Sequence, residues 1–195
     1  MLTTGCSGRR YAPPLNRSVR ALMDRVVLLA RIRKAFPAEP LPEVTLLQAQ
    51  LTDQGLAREI TNEEWETEGN RDRGVFWYDI PVATLLECDA ALSHLDGDAF
   101  VYYLPAFLSF ALREDCPGNY REEEILGNTV FAVTHLSNYS LSRFKHLTDE
   151  QIDVVTDFVR WLRQAGGFHR PSADEALNKY WETPDARRRT LIQAP

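Results

Sequence analysis

The stretch from Phe100 to Leu112 is the strongest constraint on how this chain folds. Phe100, Tyr103, Leu104, Phe107, Leu108, Ala111 and Leu112 keep helical spacing through successive turns. A helix this apolar belongs at the centre of a fold, enclosed by other elements. Asp96 and Asp98 stand just ahead of it, where helix capping accounts for them. They also resemble half of a calcium loop, but no third ligand and no closing Glu follow at the required offset. Pro105 lies inside the pattern, where it removes a backbone donor and meets the Val101 carbonyl. A kink there is expected, or a first turn that ends and restarts.

The flanking segments also read as helices. Leu15, Val19, Leu22, Val26 and Leu29 recur at steps of four and three, with Met23, Val27 and Ala30 widening the stripe. Pro37, Pro40 and Pro42 stop that helix, and a second runs from Glu43 to about Gln54, ended by Gly55. Asn62 is placed to cap a short acidic helix starting at Glu63. Val75–Tyr78 reads as extended or as a helical turn, and Asp79-Ile80-Pro81 starts a helix with Leu85, Leu86 and Leu92 inward. Glu122–His135 makes a further helix, with Ile125, Leu126, Thr129, Val130 and Val133 inward, and Ser137–Lys145 reads as a polar loop anchored by Tyr139 and Phe144. Thr148-x-x-Gln151 and Ser172-x-x-Glu175 have the form of capping boxes. The first opens a helix with Ile152, Val155, Val159 and Leu162 on one seam and Gly166-Gly167 at its end. With no strong period-two alternation, the expectation is a mainly α fold: a compact single domain of six or seven helices, with at most a minor strand pair. Residues 1–14 are expected as a flexible arm, 15–182 as the helical domain and 183–195 as a loose tail.

Charge is unevenly spread over the 195 residues. The whole chain has 22 Lys and Arg against 28 Asp and Glu, a net of −6. Residues 1–35 hold eight basic groups and one acid, a net of +7; the rest holds 14 basic and 27 acidic groups, a net of −13. Such asymmetry suits a basic arm for nucleic acid or membrane, or a first helix lying on an acidic body and neutralising it. The second reading is preferred, because the Leu15–Leu29 stripe demands burial and the acidic body repels nucleic acid. An acidic exterior is what a partner with a basic surface seeks through electrostatic steering.

Chemical motifs are scarce. There is no phosphate loop, no nucleophile elbow, and no His-x-x-x-His or Cys-x-x-Cys spacing among His94, His135, His146, His169, Cys6, Cys88 and Cys116. No catalytic residue, metal or cofactor is expected. Reduced thiols and the lack of a secretory pattern point to the cytoplasm, and no apolar run approaches the roughly 18 residues of a membrane span. The acidic run Glu63, Glu64, Glu66 and Glu68 reads as a solvated face, with Trp65 among them. Tyr102 and Phe110 fall off the main apolar stripe and, if exposed, are interface anchors. These seven residues form the candidate partner-binding set.

Three stretches carry a resemblance: Trp77-Tyr78-Asp79-Ile80-Pro81, Ala91–Leu95, and Ala99-Phe100-Val101-Tyr102-Tyr103-Leu104-Pro105-Ala106-Phe107-Leu108. They are similar to an uncharacterised bacterial family, the domain of unknown function 6714, with its W-x-D-I-P and F-x-x-Y-L-P-A motifs. The helix from Leu147 and the Leu177-x-x-Tyr180-Trp181 element resemble its closing part, so the likeness spans about residues 20–182. It implies a small intracellular helical domain, with Trp77, Asp79, Pro81, Phe100, Tyr103, Leu104 and Pro105 in structural roles and no catalytic residue. The arginine-rich start and the acidic insert from Glu59 to Asp72 depart from it.

The expected function is therefore a non-enzymatic, acidic protein-binding module, in its specific form an immunity- or antitoxin-like partner that covers a basic toxin. Two alternatives stand beside it: a hydrolase using Glu63, Glu64 or Asp79 with His94, and nucleic-acid binding through Arg9–Arg33.

Overall fold

The computed structural model describes residues 17–56 and 58–184, with side chains from Asp24 onward. Among these residues nine α-helices follow one another and no strand occurs, so the chain is mainly α with more helices than the six or seven expected. The segments expected as arm and tail lie, but for Thr183 and Pro184, outside the described residues.

The central helix, α5 (Gly97–Ala111), starts where Asp96 accepts a hydrogen bond from the Ala99 amide at 2.8 Å. It runs unbroken through Pro105, which is buried, so the restart offered as one expectation does not occur. Phe100, Leu104, Phe107 and Leu108 have no exposed surface. Against α5 pack α6 (Tyr120–Thr134) and α7 (Asn138–Phe144). Helix α7 replaces the expected polar loop. Ser137 caps it, and two of its three buried side chains, Ser140 and Arg143, are polar, which hid the inward face from a hydrophobicity pattern. The Arg143 guanidinium lies near the rings of Phe100 and Tyr139 and donates to the Leu92 carbonyl, so π faces and a backbone acceptor offset part of its burial, although its Nε has no hydrogen-bond partner among the described residues.

Helix α8 (Asp149–Ala165) follows the sequence reading. Thr148 and Gln151 form a reciprocal capping box, Ile152, Val155, Val159 and Leu162 are buried, and Gly166 ends the helix at φ 80°, a left-handed conformation that glycine adopts freely. Helix α1 (Arg17–Ala35) lies along α8 in a different register from the one expected. Leu28 and Ile32 are buried, with Ala35 and Phe36 beyond, whereas Val26 and Val27 are 56% and 55% exposed and Ala30 is exposed. With apolar residues on most of its circumference, this helix had several plausible stripes, and the longer side chains at 28, 32 and 36 took the interior. The side chains of Leu15, Val19, Leu22 and Met23 lie outside the described residues. Arg31 and Lys34 reach Asp157 and Glu150 of α8, so this basic helix does lie on acids.

Helices α2 (Leu46–Gly55) and α3 (Asn62–Asp72) form an antechamber to the core. Their caps are Thr45 and Thr61, each in a capping box with Gln48 and Glu64, so Asn62 is the first helical residue and not the cap. Asp72 ties the pair together: its Oδ2 accepts from the Leu47 amide at 3.0 Å, and burial holds its carboxyl above the ordinary range. The Trp77–Asp79 segment is a 3-10 turn, with the Trp77 indole donating to the Phe36 carbonyl at 3.3 Å. Pro81 then caps α4 (Val82–Glu87).

Helix α9 (Arg170–Ala176) starts before Ser172, with Pro171 in its first turn and no side-chain cap, so the second expected capping box is absent. A proline donates no amide hydrogen there and fits that position. The chain continues as a π-helical turn over Leu177–Trp181, placing Tyr180 and Trp181 against Phe144. Buried side chains from Leu28 to Trp181 make one contiguous cluster. No helix among the described residues is long and apolar enough to cross a membrane.

Candidate functional site

Two cavities flank α5, one at each end. The first, about 410 Å³, lies where the Phe36–Glu43 connection passes the start of α5. Three prolines stiffen that connection, and it presents Glu39 and Glu43. The first turn of α5 adds Asp96 and Asp98, and the link between α7 and α8 adds His146. His146 Nδ1 lies 2.7 Å from Asp98 Oδ1. The imidazole sits over Gly97, where any Cβ would overlap its ring. Neither Glu39 nor Glu43 has a cationic partner among the described residues, and Asp96 is engaged only by the helix amide. Four carboxylates and one histidine thus border a single opening. A cationic group entering it gains Coulomb attraction from several sides, in a concave site where screening is weaker than on a flat surface.

The second cavity, about 350 Å³, lies between α1, the Trp77 turn, α4 and the C-terminal half of α5. Its walls are Leu29, Trp77, Tyr78, Ile80, Leu85 and Phe110, with Arg33 and Arg113 among its lining residues and no carboxylate. The guanidinium carbon of Arg33 lies over the Tyr78 ring, 3.3 Å from its centroid. Arg113 is held by Asp115 through two hydrogen bonds of 3.1 and 2.7 Å.

The α3 members of the expected partner-binding set fall outside both cavities. On α3, Glu64 pairs with Arg58, Glu66 with Arg73 and Glu68 with Arg71; of the four acids only Glu63 has no cationic partner among the described residues. The Thr61 amide and Arg58 hold the Glu64 carboxyl below its ordinary range. Trp65 is half-buried, and its backbone carbonyl accepts from Gln48 Nε2 of α2 at 3.1 Å. Tyr102 and Phe110 are 7% and 2% exposed, so the condition on which they were interface anchors is not met. Phe110 forms a wall of the aromatic cavity and Tyr102 of the acidic one. They lie off the main stripe because α5 is buried on most of its circumference, not because they face solvent.

The carboxylate–histidine pairing expected for a hydrolase is not assembled. His94 Nε2 lies 3.2 Å from Asp53 Oδ1, and Glu63, Glu64 and Asp79 are not within ion-pair distance of it. Cys88 is buried, and the loss of solvent raises its thiol pKa; the same effect pushes Cys116 up to about 11. Burial thus favours the thiol form of both, and Cys6 lies outside the described residues. No group of three or more His, Cys, Asp and Glu among the described residues is placed to hold a metal ion.

Of the family-motif residues, Trp77, Phe100, Tyr103, Leu104 and Pro105 are buried, while Asp79 and Pro81 are exposed at the turn into α4. Sequence reasoning passed over Glu39, Glu43 and His146 as site residues. The available signal was the proline-punctuated acidic stretch before α2 and a histidine two residues ahead of a capping box. Their convergence with Asp98, 48 positions from His146, is a tertiary fact.

No curated protein and no solved structure matches the chain. Residues 24–184, most of its length and all three stretches on which the resemblance rested, match the family of unknown function DUF6714, and the chain belongs to that family.

Proposed function

We propose that this protein is a non-enzymatic binding module for a basic protein partner, and that the partner presents a lysine or arginine to the cavity between Glu39, Glu43, Asp96 and Asp98. The supporting observation is that these carboxylates share one concave opening while those of α3 are mostly neutralised within the chain. The charge balance supports the same reading: between residues 36 and 184, 11 Lys and Arg stand against 26 Asp and Glu, a net of −15. Attraction of that kind accelerates encounter and selects partners by sign. The specific form of the proposal is an immunity- or antitoxin-like protein that caps a basic toxin surface.

The test is calorimetric titration of the full chain against the product of the adjacent gene, repeated with Glu39→Lys and Glu43→Lys together. Expected are binding at micromolar concentration or tighter, weakening with salt, and loss of binding in the double variant. No binding, or binding indifferent to both salt and the double substitution, overturns the proposal. Failure to protect cells from that product removes its immunity form.

A further inference from the structure

The aromatic cavity has a charge opposite to that of the chain around it. Within α1, Arg31 and Lys34 each have a carboxylate partner, but Arg33, between them in sequence, has none among the described residues. Its guanidinium is stacked on Tyr78 and lies 5.5 Å from the Trp77 ring centroid. Stacking on an aromatic face occupies the π surface of a guanidinium and leaves its in-plane N–H fork available, the geometry that matches a carboxylate with two parallel hydrogen bonds. The cavity that Arg33 lines is walled by Trp77, Phe110, Leu29 and Ile80. At about 350 Å³ it falls at the small end of the range for small-molecule sites.

We propose that this cavity binds a small monocarboxylate with an apolar, aryl- or alkyl-type body, its carboxylate paired with Arg33 and its body lodged against Trp77 and Phe110. The charge count sets the ligand class. Arg113, the other cation of the lining, is already engaged by Asp115, so the site offers one unpaired positive charge and suits one negative charge. A phosphate ester would place its second charge against apolar walls, where an unpaired ion is costly. A neutral hydrocarbon would fill the cavity but leave the Arg33 fork without an acceptor. The half-buried Ser109 supplies the one hydroxyl of the α5 wall. This inference does not depend on the protein-binding reading, since no lining residue is shared between the two cavities.

The experiment titrates the full chain with 4-phenylbutyrate, with 4-phenylbutanol as the uncharged counterpart, and with inorganic phosphate, following the Trp77 indole and Arg33 Nε resonances. The acid is expected to bind at least about tenfold more tightly than the alcohol, the worth of one charge-assisted hydrogen bond. Phosphate alone is expected not to move the Trp77 indole. Arg33→Met, which keeps the stem and removes the charge, should abolish the preference of acid over alcohol while the alcohol still binds. Ser109→Phe should exclude both. Equal affinity for acid and alcohol in the unaltered protein overturns the proposal without recourse to any variant. So does a preference that survives Arg33→Met, or shifts that appear away from Trp77.

Discussion

The two ends of α5 make different surfaces from one helix. Its first turn brings Asp98 and the cap residue Asp96 to a polar opening; its last turns bring Ala106, Ser109 and Phe110 to an aromatic one. Among the described residues, the first has Glu39 and Glu43 without a cationic partner, and the second has Arg33 without an anionic one. The charge of the whole chain therefore describes the first and not the second. What decides the character of each site is which carboxylates and cations have already found partners inside the molecule. The run on α3, the densest acidic stretch in sequence, is the instructive case: it is mostly occupied by Arg58, Arg71 and Arg73.

The most severe way to break the comparison is to remove what both ends share. Phe107 is fully buried in the middle of α5, and Phe107→Ala should cost about 3–5 kcal/mol in chemical denaturation. If both cavities rest on this core, resonances of Trp77 and His146 will shift together; a change at only one would mean the two ends are held independently. A smaller effect should be confined to the acidic end. Asp96→Ala removes the α5 cap and should cost about 1 kcal/mol, leaving the Trp77 indole unmoved. A smaller change still sharpens the comparison. Gly97→Ala puts a methyl where the His146 ring sits, so the ring should leave Asp98 with a stability change within about 0.5 kcal/mol. His146 chemical shifts against the denaturation midpoint will show whether the pair is lost without the fold.

Acid titration separates the solvated carboxylates from the buried Asp72. Asp72 is held above the ordinary carboxyl range by burial, so the native state keeps its proton at a pH where the unfolded chain has lost it. Its contribution to stability is complete below the unfolded value and is lost as pH rises through the folded value. Stability measured across mildly acidic pH should therefore carry a falling component that is missing in Asp72→Asn. An unchanged slope in that variant would mean that Asp72 is not the source.

Much of the fold was legible in the sequence because its signals are local. The Thr148–Gln151 box, the α8 seam and the central helix all depend on residues three or four positions apart. Three of the features that were not legible show the physical reason. In α1 the apolar residues outnumber those the interior can accept, and only docking on α8 chose Leu28 and Ile32 over Val26 and Val27. In α7 the inward face carries Ser140 and Arg143, which pattern reasoning assigns to solvent. For Tyr102 and Phe110, position off the stripe leaves exposure open, and a helix enclosed nearly all round buries both. The sites were still less legible than the fold. Each cavity joins segments far apart in the chain, and which ions remain unpaired is known only after the others have paired.

The packing of the π-helical turn has a consequence for how the protein is made. Trp181 fills a fully enclosed space against Phe144 and donates its indole hydrogen to the Val133 carbonyl at 2.8 Å. Synthesis runs from the amino end, so this plug emerges after every surface it covers. Until it leaves the ribosome, Phe144 and its neighbours stay wet, and a chain stalled before residue 177 is an open shell for proteases and chaperones to find.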